Sequence, residues 1–179
     1  MSEKRIAVRY AKSLVDLSVE MKVLDSVKED MSLVKNTCDG SRQLRLMLNN
    51  PVILASKKRI ILDQIFKDKI SELTLKFFKI LSRKNRLGIL PYVADEVLRL
   101  YNNIKGLQES TITTSIPLTS DMREKIIKFV EETSGKKALL NEVVDKDLIG
   151  GFVLRIGDRQ VDNSIAGKLN KLKIQLMDA

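Results

Sequence analysis

Four aspartates and one glycine pair near the C-terminal end are the residues that most invite a chemical reading. Asp145, Asp147, Asp158 and Asp162 lie close together in the chain, and clustered carboxylates can hold a cation or share a proton. Their spacing matches no calcium loop, whose oxygen ligands alternate along one short segment closed by a Glu. Turn and helix-capping carboxylates are the simpler reading. Gly150-Gly151 raises a second possibility, a backbone cradle for phosphate. That loop needs the pattern G-x-x-x-x-G-K-[ST], so that successive N–H groups wrap the anion. Gly135-Lys136 is preceded by Val130 where the first glycine belongs and is followed by Lys137. Gly167-Lys168 has Asp162 at that place, within a helical pattern, and Gly150-Gly151 lacks a further glycine at dinucleotide-fold spacing.

Histidine is absent from all 179 residues. That removes Ser/His/Asp and Cys/His catalysis and every His-ligated metal site. Only carboxylate- or Lys-dependent catalysis remains open to the chain. The single cysteine, Cys38, excludes an intrachain disulfide framework and reads as a half-buried thiol at a helix end. Composition therefore argues against an enzyme, and against a resident cofactor or metal.

The net charge of +9 is uneven: residues 1–105 hold 21 Lys and Arg against 12 Asp and Glu, whereas residues 106–179 hold 11 of each. Such asymmetry points to two domains with different partners. A nucleic-acid-binding module using the basic half is the competing reading, carried by Lys57-Lys58-Arg59 and Arg83-Lys84-Asn85-Arg86. Aromatic residues for stacking make up only 4%, and no nucleic-acid module is recognisable. The first cluster opens a helix on its polar face. The second ends one, where cations meet unpaired carbonyls. Solvated helix ends are the better account. No apolar stretch reaches the roughly 18–20 residues that cross a bilayer. The N-terminal MSEKRIAVRYAKSLVDL mixes charges with apolar residues, unlike a secretory signal, so a bacterial cytoplasmic location is expected.

The elements that carry these residues follow from periodicity. A first helix from about Ser2 to Glu20 has two apolar stripes, one through Ile6, Tyr10, Leu14, Leu17 and Met21, the other through Val8, Ala11, Val15 and Val19. A helix on a single core needs one stripe. Two stripes predict a second covered surface, either the helix's own bundle or an external helix. Val23, Val27, Met31 and Val34 continue in a second helix, ended by Gly40 as a left-handed residue. Ser41 caps a short third helix before Asn49-Asn50-Pro51. A fourth follows Ser56 with Ile60, Ile61, Ile65 and Phe66 inward. A fifth carries Ile70, Leu73, Phe77 and Ile80-Leu81, with Leu75 and Phe78 off the main stripe. A sixth runs from Pro91 through Val93, Val97, Leu100-Tyr101 and Ile104 to Gly106.

After Gly106 the period becomes two. Leu107 to Ile116 is a β-branched alternating run stopped by Pro117. Thr119 or Ser120 caps a helix ending at Gly135, and Lys137 to Val144 reads as a second strand. Phe152 to Ile156, a Gly157-Asp158 turn and Gln160 to Asp162 form a hairpin. Asn163 or Ser164 then caps a last helix bearing Ile165, Leu169, Leu172 and Leu176. The expected fold is an all-α six-helix N-terminal bundle over 1–105 and a small α/β domain of order β-α-β-β-β-α over 106–179.

Three motifs in register resemble one family. VVDKDLIGGFVLRIGDRQVDNSIAGKLNKL, with Asp145, Gly150, Gly151, Gly157, Asp158, Asp162 and Ser164, is similar to the C-terminal signature of the delta subunit of bacterial F-type ATP synthases. Mitochondrial oligomycin-sensitivity-conferring proteins share that family. Ala7-Val8-Arg9-Tyr10-Ala11-Lys12-Ser13-Leu14 and Asn85-Arg86-Leu87 followed by Leu90-Pro91 extend the likeness along the chain. Ser13 stands where a small residue such as Ala is more usual. The resemblance implies a non-catalytic stator subunit without cofactor, peripheral to the membrane through its complex and not a nucleic-acid binder. It implies that the N-terminal domain holds the N-terminal segment of an alpha subunit in a groove of the first and fifth helices. The lining residues would be Val8, Ala11, Val15, Leu75 and Phe78. It implies that the C-terminal domain receives the C-terminus of the b subunit stalk. On this basis Ala11→Asp is expected to weaken head binding while leaving the N-terminal domain folded.

Overall fold

A computed structural model of the chain describes residues 3–177, leaving aside the side chains of Lys171, Leu172, Ile174 and Gln175. Ser2, the expected start of the first helix, and the Leu172 side chain of the last helix's stripe lie outside the described residues. Two compact units emerge, Met1–Tyr101 and Asn102–Ala179.

The first unit is helical. Helices α1 (Glu3–Glu20), α2 (Leu24–Gly40), α3 (Arg42–Asn49), α4 (Ala55–Phe66), α5 (Glu72–Arg83) and α6 (Leu90–Ile104) follow one another, with a single 3-10 turn at Leu87–Ile89 before α6. Short turns hold the sequence of helices together. The end of α1 is a Schellman motif, in which Val23 N–H donates to Ser18 O (2.9 Å) and Lys22 N–H to Val19 O (3.1 Å). Lys22 sits in the left-handed region at φ 58°. The end of α5 repeats this with Asn85 at φ 53°, Arg86 donating to Leu81 O and Asn85 to Ser82 O (both 2.9 Å). Gly40, expected to be left-handed, is not: α2 runs into an extended Ser41, whose hydroxyl oxygen accepts from Leu44 N–H at 3.2 Å.

Apolar burial in this unit centres on Ala11, Val27, Val34, Leu62, Phe78, Leu81, Val93 and Val97. Aromatic edges link the helices, Tyr10 to Phe77 at 6.3 Å and Phe66 to Phe78 at 6.0 Å between centroids. A buried carboxylate also joins α2 to α5. Asp30 Oδ2 accepts from the Ser71 N–H (3.0 Å), the Ser71 hydroxyl (2.5 Å) and the Thr74 hydroxyl (2.7 Å), so the N-terminus of α5 is tied to the middle of α2.

Two assignments on α4 need correcting. Ile60 and Ile61 are exposed, and the buried face is Lys58, Leu62 and Phe66. Lys58 is not a solvated helix-end charge, because its Nζ donates to the Leu48 carbonyl at 2.7 Å. It satisfies an acceptor at the end of α3 that the helix itself leaves unpaired. Burial lowers its pKa below the usual lysine value.

The second unit is mixed: β1 (Leu107–Thr114), α7 (Ser120–Ser134), β2 (Lys137–Val144), β3 (Phe152–Ile156), β4 (Arg159–Asp162) and α8 (Ile165–Met177). The sheet order is β2-β1-β3-β4. β1 lies parallel to β2, from Leu107 opposite Lys137 to Thr114 opposite Val144, and antiparallel to β3, which is antiparallel to β4. A parallel neighbour demands a crossover, and α7 supplies it, capped by Thr119 and closed by left-handed Gly135. Ile112, Val130, Leu154 and Ile156 are the buried apolar residues between sheet and α7.

Candidate functional site

The signature stretch resolves into one hydrogen-bonded junction between the start of β3 and the start of α8. Asp145 N–H donates to Thr114 O (2.9 Å) and its Oδ1 accepts from Asp147 N–H (3.0 Å), closing the turn after β2. Gly150 O accepts from Ile165 N–H (3.0 Å), and Phe152 O from Asn163 N–H (3.0 Å). Between them Gly151 adopts φ 82°, and a Cβ there would lie 2.4 Å from Asn163 O and 2.9 Å from Ser164 Cα. Only glycine fits such an approach. Gly157 (φ 57°) opens the two-residue β3–β4 turn with Asp158, the place where a type II′ turn takes glycine. Of the two capping candidates the structure selects Ser164. Its N–H and hydroxyl both donate to Asp162 Oδ1 (2.9 and 2.6 Å), while its Oγ accepts from Gly167 N–H (3.0 Å).

Gly167 belongs to the same junction, a role its place in a helical pattern hides. A Cβ on it would meet the Asp162 carboxylate at 2.7–2.8 Å. The four aspartates thus turn and cap the chain. Among the described residues no three Asp, Glu or Cys side chains gather as a metal site. Cys38 is fully buried, and burial, then Asp39, push its thiol up to about 11 against a small opposing effect of Arg45. At neutral pH it is a protonated, inert side chain.

The five residues expected to line a groove on α1 and α5 do not share a surface. Ala11, Val15 and Phe78 are buried in the bundle's own core. The small Ala7 and Ala11 let neighbouring helices approach, so the second stripe on α1 is largely answered from within the unit. Val8 is 42% exposed and Leu75 is partly buried. α1 and α5 do touch, through Tyr10 and Phe77. Residues two apart lie about 200° apart around a helix, so Val8 faces away from Tyr10's contact and Leu75 away from Phe77's. Val8 instead lines a cleft of about 200 Å3 with Lys4, Ala7, and Tyr92, Asp95 and Glu96 of α6. The other exposed apolar residues of α1 are Val19, on Val8's flank, and Leu17 on the opposite one, with exposed Met21 in the turn that follows. That split was hidden in the sequence, because a stripe shows periodicity and not what covers it.

The second unit holds an apolar cleft of about 300 Å3 between the end of β1, the loop through Pro117 and the first turns of α7. Gly151 and Phe152 form one of its walls.

A family profile described as the ATP synthase delta (OSCP) subunit matches residues 6–176. The chain belongs to that family. Two delta-family relatives, each called ATP synthase subunit delta, come from Cytophaga hutchinsonii and Christiangramia forsetii. The first is 36% identical over 97% of this chain and 94% of its own length. The second is 38% identical over 99% and 96%. A chain in the mitochondrial ATP synthase hexamer of Toxoplasma gondii has the same fold, with a TM-score of 0.71 at 24% identity over 96% of this chain and 97% of that one. Among the described residues of this delta-family chain, no helix is long and apolar enough to cross a membrane.

Proposed function

We propose that this delta-family chain is a non-catalytic stator subunit of a rotary F-type ATP synthase. It links the N-terminal segment of an alpha subunit in the catalytic head to the C-terminus of the b subunit stalk, at the cytoplasmic face of a bacterial inner membrane. What carries the reading is a family likeness that runs nearly the whole length of both chains, through both units. The residues agree with it. The junction of Gly150, Gly151, Asp162 and Ser164 is spent on geometry, and the aspartates on turns and caps.

A stator part must hold against torque, which asks for pre-organised apolar surface rather than reactive groups. Burial contributes about 25 cal/mol per Å2 of apolar area, offset by the ordering of the incoming segment. The alpha segment is placed as a helix along the α1 flank of Val8 and Val19, with Tyr92 beside Val8. Ala11 and Val15 act from beneath, by fixing α1. This revises the expected test, since Ala11 offers no surface to a partner. A peptide of the cognate alpha N-terminus is titrated against the full chain and against Val8→Asp, Val19→Asp and Leu17→Asp. The first two are expected to weaken affinity about tenfold or more, and Leu17→Asp to leave it within about twofold. Equal affinities across all four proteins would sink this placement.

A further inference from the structure

We infer that a cleft in the first unit, between the starts of α1 and α4, the end of α3 and the 3-10 turn before α6, binds a small organic oxyanion: a carboxylate or phosphate on a short apolar body. The cleft holds about 280 Å3 and draws one cation from each basic cluster of the sequence, Lys58 from the first and Arg86 from the second. Lys57, Arg59, Arg83 and Lys84 stay outside its lining. The stator reading uses neither cluster. Gly88 keeps the site open, since a Cβ there would stand 2.9 Å from Asn49 Oδ1 and 3.3 Å from Leu48 O. That carbonyl is the one that holds Lys58, so the ammonium, Gly88 and the end of α3 meet at one end of the cleft. Ile6, Pro51 and Ile89 add apolar wall, which suits a ligand with a body as well as a charge. Ile6 lies two residues from Val8, about 200° around α1, so an occupant leaves the Val8–Val19 flank uncovered.

Charge selects the occupant. Lys58 is only 6% exposed. Its Nζ gives one of three N–H groups to Leu48 O at 2.7 Å, and it has no ion pair among the described residues. A buried ammonium with a carbonyl but no counter-ion carries an electrostatic cost that an incoming anion removes. Arg86 holds its guanidinium over the Tyr10 ring, 5.9 Å from the centroid. That contact leaves its fork of donors without a hydrogen bond or ion pair among the described residues. Such a fork matches two oxygens of a carboxylate or phosphate. Glu3, which is exposed, is the one carboxylate among the described lining residues. Two cations against one carboxylate leave the lining positive, with the buried cation and the free fork both open to an anion.

Phenyl phosphate and benzoate, titrated into the full chain by calorimetry at constant ionic strength, provide the test, with inorganic phosphate and phenol as comparisons. At least one of the two aryl anions should bind saturably, one per chain, and about tenfold or more tighter than inorganic phosphate or phenol. The tighter of the two names the head group. On saturation the amide resonances of Asn49 and Gly88 and the ring resonances of Tyr10 should shift. Arg86→Ala is expected to weaken binding about tenfold or more, and Arg86→Lys to lose part of it, because an ammonium lacks the planar fork. Glu3→Gln should tighten it about two- to threefold, a gain that a merely structural role would not produce. Lys84→Ala, two residues from Arg86 but outside the lining, should stay within about twofold. All substituted positions are exposed, and far-ultraviolet dichroism checks the fold of each variant. The inference is overturned if neither aryl anion binds saturably, if phenol binds as tightly, or if the shifts fall away from the cleft. It is equally overturned if Lys84→Ala is as damaging as Arg86→Ala, since diffuse basic charge would then account for the binding. None of these outcomes touches the stator reading, which stands or falls on the alpha peptide titration.

Discussion

Replacing Gly151 by alanine tests whether the signature is a geometric device. The backbone at φ 82° strains any L-residue, by about 1–2 kcal/mol. The added Cβ would also stand 2.4 Å from Asn163 O and 2.9 Å from Ser164 Cα. Both are backbone atoms, anchored by the Asn163-to-Phe152 and Ile165-to-Gly150 hydrogen bonds, so neither can swing aside. Overpacking of this kind costs about 1–3 kcal/mol, and the stiffer unfolded chain returns about 0.4–1 kcal/mol. The net expectation is a loss of about 2–4 kcal/mol, or roughly 10 °C or more in the melting of a domain this size. Gly150→Ala is the internal control. Its Cβ would meet only Ile165 Cδ1 at 2.8 Å, the tip of a side chain that can rotate, and its cost should stay below about 1 kcal/mol. The two units can be followed separately in the intact chain. There is no Trp, and Tyr10, Tyr92 and Tyr101 all belong to the first unit. Near-ultraviolet tyrosine dichroism therefore reports residues 1–101, and far-ultraviolet dichroism reports both units. Gly151→Ala should leave the tyrosine transition in place, lower the remaining one, and speed amide exchange at Asn163 and Ile165. Equal melting of the two alanine variants would refute the close-approach argument.

Gly167→Ala should lose about 1 kcal/mol where helix propensity alone predicts a gain of similar size. The Cβ would displace the Asp162 carboxylate from Ser164 and undo the cap, which urea unfolding of the second unit can read. Lys22→Gly should stabilise the first unit by about 0.5–1 kcal/mol, since it removes a left-handed non-glycine residue from a Schellman turn; its tyrosine-detected melting should rise. Ala11→Asp should unfold the first unit rather than only weaken a partner, because a carboxylate without a partner in that core costs at least about 3 kcal/mol. A retained tyrosine transition would contradict this. The Cys38 thiol, raised to about 11 from 9.0, gives stability that is complete below pH 9 and declines as pH rises through the folded value, because only the unfolded chain ionises readily there. Between pH 8 and 10.5 the parent should therefore lose more stability than Cys38→Ala, a comparison in which Lys58 is common to both.

Much of this fold was legible because its elements are bounded by residues with one local use. Ser41, Thr119 and Ser164 cap helices, Gly135 ends α7, and the change from a helical period to alternation after Gly106 separates the two halves. What stayed hidden depends on tertiary neighbours. Lys58 reads as a surface charge until the end of α3 is placed above it. Ile60 and Ile61 read as core until α4 is turned so that Leu62 faces inward. The left-handed ends of α1 and α5 fall on Lys22 and Asn85, whereas Gly40 merely ends a helix. Residue type sets what a position permits, and the surrounding hydrogen bonds decide whether the permission is used.

The same distinction governs the partner surfaces. Two apolar stripes on α1 establish that the helix is covered on more than one side, but an internal neighbour and an external helix demand the same side chains. Burial separates them: Ala11 and Val15 of the second stripe belong to the bundle, whereas Val8 and Val19 of that stripe stay exposed. In the second unit the argument runs the other way. The glycines and aspartates of the signature looked like chemistry because reactive sites also need close backbone approach and clustered carboxylates. Gly150 O and Phe152 O accept from Ile165 and Asn163, Asp162 Oδ1 accepts from Ser164, and what these bonds build is the wall behind Phe152. A motif can therefore be rigidly constrained and carry no reactive group, when the product of the constraint is a surface whose shape must survive a sideways load.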